Sequence, residues 1–167
     1  MPITSISGVD EDALSLKYLL DGVLSKTVDV FTEYNVPLPA RRYWTVGTAP
    51  VDCEQVAVSF IQIYLGTPGD QAGQPLRTTS PRSAVLSIGI SREVPVVGVN
   101  GRPPTGEKIQ EGSEIAAVDA WVFMRLLNRL DQWEPGEFGL GVIATADVSG
   151  AEGGIQTTTM QVTMAIP

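Results

Sequence analysis

The side chains that could do chemistry are few, and their spacing matches no familiar catalytic pattern. The chain of 167 residues has no histidine. It therefore lacks the commonest general base and a leading zinc ligand. Its single cysteine, Cys53, has neither a histidine nor a nearby lysine in sequence to favour the thiolate. We expect Cys53 to be an incidental thiol that forms no internal disulfide.

The carboxylates also lack a spacing that indicates a site. Those that lie close together in sequence are Asp10, Glu11 and Asp12, then Asp52 with Glu54, and Glu111 with Glu114. The first group is typical of a helix start, and two carboxylates perform acid-base chemistry only where the fold brings them together. The runs GTPGDQAG and SGAEGG lack the strand-to-helix context of a nucleotide-binding loop. We predict no catalytic residue, no metal site and no cofactor.

Charge and hydropathy limit the classes of partner. The chain has 11 basic and 19 acidic residues, so its net charge is −8. Such a chain is a poor candidate for gripping nucleic acid, because neutralising phosphates requires lysine and arginine. Acidity could serve a surface that DNA passes without sticking, although keeping the protein soluble is the commoner explanation. With no apolar run of about 20 residues and no basic N-terminal region, we expect neither a membrane span nor a secretory signal.

The element that organises the chain is the segment 111–133, EGSEIAAVDAWVFMRLLNRLDQW, which we predict to be a helix capped by Ser113. Its apolar stripe is Ala116, Ala120, Phe123, Leu127 and Leu130. Val118 and Trp121 interrupt the opposite, polar face, to which Arg125 belongs. One interpretation is a well-buried core helix. The other is a helix that touches both its own core and a neighbouring subunit, with Val118, Trp121 and Arg125 as candidate interface residues.

The remaining elements predict a single α+β domain over residues 1–167. A first helix is expected from about Asp10 to Tyr34, strands at 55–65 and 83–94, and a C-terminal hairpin at 138–166. The order is α-β-(long arm)-β-α-β-β, with an antiparallel sheet of about four strands and two main helices packed on one face. The apolar phase slips after Phe60, which indicates a β-bulge or a strand covered on both faces. Such an open sheet leaves two edges that must be covered or paired with another copy.

Two connecting segments hold the other candidate interface residues. The connector 36–53 contains Arg41, Arg42, Tyr43 and Trp44, a basic and aromatic patch too short for a nucleic-acid site but suited to docking or to a local lid. The long loop 66–82 is predicted to project as an arm and to reach a partner. Its candidate contacts are Asp70, Gln71, Arg77 and Arg82. A second extended loop is expected at 95–113.

With the elements in this order, the chain resembles the small neck proteins of long-tailed bacteriophages, and most of all their tail terminators. The resemblance covers most of the chain and lies in the order of elements and in two stretches. These are DCEQVAVSFIQIYLGTPG…SPRSAVLSIGISREVPVVG and EIAAVDAWVFMRLLNRLD. The chain is similar in this to head-tail connection proteins of phages that infect actinobacteria.

The resemblance implies a structural virion protein without enzymatic activity, made in the bacterial host cytoplasm. It implies a homohexameric ring at the head-proximal end of the tail, which ends polymerisation of the tail tube and joins tail to head. The implied partners are other copies of the chain, the major tail tube protein and a head-tail stopper or connector protein. Genomic DNA would pass through the lumen without sequence-specific binding, and no membrane would be involved.

Three alternatives stay open on the sequence. One is another neck ring, a connector or stopper that contacts the portal side. A second is a tail tube or tail completion subunit, which would form long polymers where a terminator forms discrete rings. The third is a small-molecule-binding or enzymatic α+β domain, which predicts a buried polar pocket and a stable monomer.

Overall fold

Two helices and five strands make up the structure, a computed structural model that describes residues 11–69, 82–96, 101–132, 142–150 and 153–166. The predicted α+β class, with two helices packed on a sheet, is confirmed. In chain order the elements are α1 (Glu11–Glu33), β1 (Arg42–Val46), β2 (Gln55–Leu65), β3 (Arg82–Glu93), α2 (Gly106–Asp131), β4 (Val142–Val148) and β5 (Ile155–Ile166).

The sheet has one strand more than predicted and is mixed. Its order is β1-β2-β3-β5-β4. β1 runs parallel to β2, and every other pair is antiparallel. The expectation of about four antiparallel strands was therefore wrong at β1, which lies within the segment 36–53 that we interpreted as a connector. β1 has only five residues, and its pairing with β2 supplies the hydrogen bonds that a short isolated strand lacks.

The phase slip in β2 is a β-bulge, as one of the two interpretations predicted. The register of β2 against β3 shifts between Phe60 and Gln62. Before the bulge, Val58 pairs with Ile88, whereas after it Ile63 pairs with Ala84. Directly opposed residues share a face of the sheet, so the bulge keeps apolar side chains on one face despite the change of parity.

The core lies between the helices and one face of the sheet. α1 packs over β1 and β2, while α2 packs over β5 and β4. Phe31 of α1 meets Phe123 of α2 edge to face, with ring centroids 5.9 Å apart. The sheet contributes fully buried apolar side chains from its three central strands, among them Val56, Val58, Leu86, Ile88, Ile90, Met160, Val162 and Met164.

The second helix begins earlier than predicted. It starts at Gly106 with Thr105 in the N-cap position, where no side-chain hydrogen bond caps it. The prediction of Ser113 as the cap was wrong, because its hydroxyl lies inside the helix and donates to the carbonyl of Ile109 at 2.9 Å. The loop predicted at 95–113 is accordingly helical from Gly106 onward. Gly112 is buried against Val94, so the first turns of α2 already contact the chain that leaves β3.

Some predicted features fall outside the described residues. They are the last residue of the predicted helix (133), the first part of the C-terminal hairpin (138–141) and two residues of its turn (151–152). The described part of that turn contains Gly153 and Gly154 at φ of 58° and 84°, which is the left-handed region that favours glycine. Among the helices described, none is long and apolar enough to cross a membrane.

Candidate interaction surfaces

An apolar ridge on α2 remains exposed after the core has formed. Its members, spaced three residues apart, are Ile115, Val118, Trp121 and Met124; we call them the α2 ridge. The first three side chains are each 42% exposed and Met124 is 65% exposed. Residues at successive i+3 positions form a ridge inclined to the helix axis, so each member lies next to the following one while Ile115 and Met124 end on opposite sides of the helix. Two of the predicted interface residues, Val118 and Trp121, therefore lie on one continuous apolar surface.

Trp121 is held in place by two neighbours. The ring of Tyr34 meets it edge to face with centroids 4.9 Å apart. The guanidinium of Arg125 stacks over it at 5.0 Å from the ring centroid. Cation–π stacking of this kind contributes about 0.5–1 kcal/mol at an exposed site. The arrangement fixes a large aromatic side chain at the surface, and Trp, Tyr and Arg are the residue types that most often dominate binding energy at interfaces.

The predicted patch at 41–44 is divided between the two faces of the sheet. Because β1 alternates, Trp44 shares the helix-covered face with Arg42, whereas Tyr43 lies on the opposite face. The indole nitrogen of Trp44 donates to Asp21 of α1 at 2.7 Å, and the hydroxyl of Tyr43 donates to Gln55 at 3.1 Å. Arg42 donates to the carbonyl of Pro39 at 2.9 Å. The hydrogen bonds of Arg42, Tyr43 and Trp44 hold β1 against neighbouring segments. The four residues of the predicted patch therefore do not form one basic surface.

Arg41 approaches the only cysteine, a contact that sequence distance did not indicate. Its Nη1 lies 2.9 Å from Oδ1 of Asp52 and 2.9 Å from Sγ of Cys53. Hydrogen bonding with Cys53, helped by the charge of Arg41, lowers the pKa of the Asp52 carboxyl. The parallel pairing of β1 with β2 creates this cluster, because it places the residues preceding both strands side by side. Within the described residues, no group of three His, Cys, Asp or Glu side chains is placed to hold a metal ion.

The sheet face opposite the helices, which we call the open face, carries hydroxyls and amides. Its side chains include Thr45, Ser59, Ser87, Ser91, Thr145, Asp147, Thr157, Thr159 and Gln161. The three arginines of the described strands, Arg42, Arg82 and Arg92, all alternate onto the other face. No described strand therefore places a basic side chain on the open face; Arg41, just before β1, is ion-paired to Asp52 at its corner.

The loop after β1 covers part of the open face and leaves a small depression. Thr48, Ala49 and Val51 overhang it, and its volume is about 110 Å³. Three of the polar side chains beneath already have partners within the protein: Ser91 and Thr157 share a hydrogen bond at 3.0 Å, and the amide of Gln55 donates to the carbonyl of Pro50. A site for a drug-sized ligand usually exceeds about 300 Å³. This depression is smaller than that.

The two outer strands of the sheet, β1 and β4, form its edges. Within the described residues no strand pairs with the outer side of either one. The predicted arm residues Asp70, Gln71 and Arg77 lie outside the described residues, while Arg82 begins β3 with an exposed side chain. The surfaces that the structure offers for contacts are therefore the α2 ridge, the two sheet edges and the open face.

No protein-family model matches the chain, and no curated protein matches it significantly. The surfaces described above and the order of the elements are therefore the features that bear on the function of the chain.

Proposed function

We propose that this chain is a structural subunit of a phage neck ring, and specifically a tail terminator. In this role copies of the chain form a homohexamer at the head-proximal end of the tail, where the ring ends tail-tube polymerisation and joins tail to head. The order of elements supports the family. The single observation that carries a role in assembly is the α2 ridge, where Trp121 and Met124 remain exposed on an otherwise well-packed helix.

The size and composition of this ridge favour a protein partner. Isolated apolar side chains are normal on a protein surface, whereas a contiguous apolar row indicates an interaction site. Here the row continues into Tyr34 and is bordered by Arg125, which stacks on Trp121. An aromatic and cationic centre of this composition is typical of residues that dominate binding energy between proteins.

The distribution of charge supports a lumen through which DNA passes without binding. The chain has a net charge of −8, and the open face has no basic side chain on its described strands. Non-specific binding to DNA depends on lysines and arginines that neutralise phosphates. The open face carries hydroxyls, amides and Asp147 and lacks this electrostatic attraction to phosphates. DNA would therefore slide past it. We assign the virion neck as the location and the tail tube protein and a stopper or connector protein as the further partners.

The test is the mass and shape of the purified assembly, followed by a functional assay. Six subunits of 17.8 kDa give about 107 kDa, so light scattering or native mass spectrometry should report that value and negative-stain images should show discrete rings. Added to polymerising tail tube protein, the ring should shorten the tubes and bind at one end. Rings that instead bind only portal-side proteins would identify another neck ring. A monomer that binds neither tube nor portal proteins would reject the proposal.

A further inference from the structure

The outer edge of β4 has only one of the features that usually prevent edge-to-edge pairing, the charge of Asp147. β4 reads VIATADV, and its register with β5 is continuous from Val142 to Val148. It therefore has no bulge, and it contains no lysine or proline. Monomeric proteins protect edge strands by such charges, bulges and prolines, and a long, flat, apolar edge is a site for pairing with another strand.

The hydrogen-bonding groups that β4 presents outward can be assigned from its end. The amide of Ser149 donates to the carbonyl of Thr157 at 2.9 Å, and the amide of Thr157 donates to the Ser149 hydroxyl. Antiparallel strands alternate between pairs that exchange hydrogen bonds and pairs whose groups point away. The backbone groups of the odd-numbered residues of β4 thus form hydrogen bonds with β5. The backbone amides and carbonyls that point outward are those of Val142, Ala144, Ala146 and Val148.

The outer edge of β1 is complementary. The carbonyl of Arg41 accepts from Val56, and the amide of Gly47 donates to Phe60, each at 2.9 Å. The backbone groups of the odd-numbered residues of β1 therefore form hydrogen bonds with β2. The backbone amides and carbonyls that point outward are those of Arg42, Trp44 and Val46. The side chain of Val46 is 69% exposed although its pairing with Phe60 places it on the helix-covered face. The helix layer therefore covers β1 at Trp44, where the indole contacts Asp21 of α1, and leaves the end of the strand at Val46 uncovered.

The directions of the strands decide how two copies fit. β1, β2 and β5 run in the same direction, and β3 and β4 run in the opposite direction. The two edge strands, β1 and β4, are therefore antiparallel to each other. If copies are related by rotation about an axis along the strands, β4 of one copy lies antiparallel to β1 of the next. The helices continue as a layer in the same arrangement, since α2 lies over β4 and α1 over β1.

We propose that β4 of one copy pairs with β1 of the next, so that the five-stranded sheets join into one continuous sheet around the ring. This inference rests on the proposed ring and identifies the contact that closes it. Pairing of β4 with β4, or of β1 with β1, gives a dimer and leaves the other edge open. The β4–β1 contact uses both edges in every copy and closes where the rotation allows.

Cysteine cross-linking of the full chain tests the pairing directly. Thr45 of β1 and Thr145 of β4 both have side chains on the open face, at the two edges. Each is replaced by cysteine in a Cys53→Ser background and treated with a short bis-maleimide, whose reach tolerates a small error in register. The expected result is an adduct in a mixture of the two variants, formed by mixing unfolded chains and refolding them together. Each variant alone should give none.

The double variant Thr45→Cys with Thr145→Cys should be linked at every contact and run as a covalent closed ring after denaturation. Adducts from Thr145→Cys alone, as strong as those from the mixture, would show β4–β4 pairing and overturn the proposal. A ring of six copies that gives no adduct in the double variant would overturn it as well. So would a chain that gives neither ring nor adduct at its highest attainable concentration.

A backbone substitution gives an independent test. Ala146→Pro removes an amide that points outward, where proline is tolerated in an edge strand, and the bonds from β4 to β5 remain. The matched control Ala146→Ser keeps the amide. We expect Ala146→Pro to lose the ring and keep the circular dichroism spectrum of the parent, and Ala146→Ser to keep both. Rings from folded Ala146→Pro would overturn the proposal; should this variant not fold, the cross-linking result decides.

The two proposals fail in different ways. Rings that cap tail tubes but never cross-link between Thr45→Cys and Thr145→Cys would leave the function standing and reject the strand pairing. Rings that cross-link as expected but bind neither tail tube nor portal-side proteins would leave the pairing standing and reject the neck function.

Discussion

Arg92 of β3 and Asp119 of α2 form a two-point ion pair that joins the sheet to the second helix. Nε of Arg92 lies 2.6 Å from one carboxylate oxygen and Nη2 lies 2.7 Å from the other. The Asp119 side chain is 1% exposed and that of Arg92 is 15% exposed. Nη2 also donates to the carbonyl of Pro37 at 2.9 Å, so the same side chain holds the loop that follows α1.

Removing Asp119 should destabilise the fold strongly. Asp119→Ala would leave the Arg92 guanidinium largely buried without its counter-charge, which typically costs about 3–5 kcal/mol. The measurement is urea unfolding at one fixed protein concentration, because subunit association also affects apparent stability. Glu111→Ala, at an exposed position of the same helix, should change the free energy of unfolding by less than about 0.5 kcal/mol. Equal losses in the two variants would contradict the importance of the ion pair.

Met124 on the α2 ridge should matter for assembly and not for folding. Because its side chain is 65% exposed, Met124→Gln should leave the free energy of unfolding of the subunit within about 0.5 kcal/mol of the parent. We expect the association constant for ring formation to fall about tenfold or more, which corresponds to about 1.4 kcal/mol. Sedimentation velocity over a concentration series measures the association, and urea unfolding measures the stability of the subunit. Met124→Leu keeps the apolar surface and should assemble normally; a Met124→Gln variant that assembles as well as Met124→Leu would remove the ridge from the interface.

Protonation of the Asp21 carboxyl in acid should weaken its hydrogen bond with Trp44. Hydrogen bonds from Lys17 and then from Trp44 lower the pKa of Asp21 below its ordinary value of 3.8. A carboxyl with a lowered folded-state pKa contributes stability that is present above the ordinary value and is lost as pH falls through the folded value. The indole N–H resonance of Trp44 should therefore shift with a midpoint below 3.8 while the protein remains folded. Asp21→Asn should abolish this transition, and a midpoint at or above 3.8 would contradict the hydrogen bonds.

Phe123 should be among the most costly core positions. Its side chain is fully buried and meets Phe31 at a centroid distance of 5.9 Å, so Phe123→Ala removes the main aromatic contact between the helices. Phenylalanine-to-alanine changes in cores cost about 3–5 kcal/mol. Thermal or urea unfolding should show this loss, whereas Met124→Ala at the neighbouring exposed position should lose far less. Similar losses at both positions would mean that α2 packs on the sheet in a different rotation.

Local pattern was sufficient for the long elements. The helix ending near Tyr34, the strand at 55–65 with its bulge, the strand after the arm and the returning strand of the C-terminal hairpin all have strong periodicity. In each of them the spacing of apolar residues reports which side is buried, and that information is local. The α2 ridge was also visible in outline, because Val118 and Trp121 interrupt a polar face.

Other features depended on residues that are distant in sequence. Ser113 looked like a helix cap, but the helix already begins at Gly106, and Gly112 is buried beside Val94. Asp119 is a charged residue of the predicted helix, and the fold buries it against Arg92. Neither partner could be identified from spacing, since each belongs to another element.

The sequence by itself determined the α+β class, the order of the main elements and the wide apolar arc of the second helix, because these follow from local periodicity and composition. Only the tertiary structure decided that residues 42–46 form a parallel edge strand, which separates Arg41 and Tyr43 from Arg42 and Trp44 onto opposite faces. A strand of five residues has almost no stability of its own, so its existence depends on the hydrogen bonds that β2 offers. The same pairing decides which backbone groups remain at the edge of the sheet for another copy to bind.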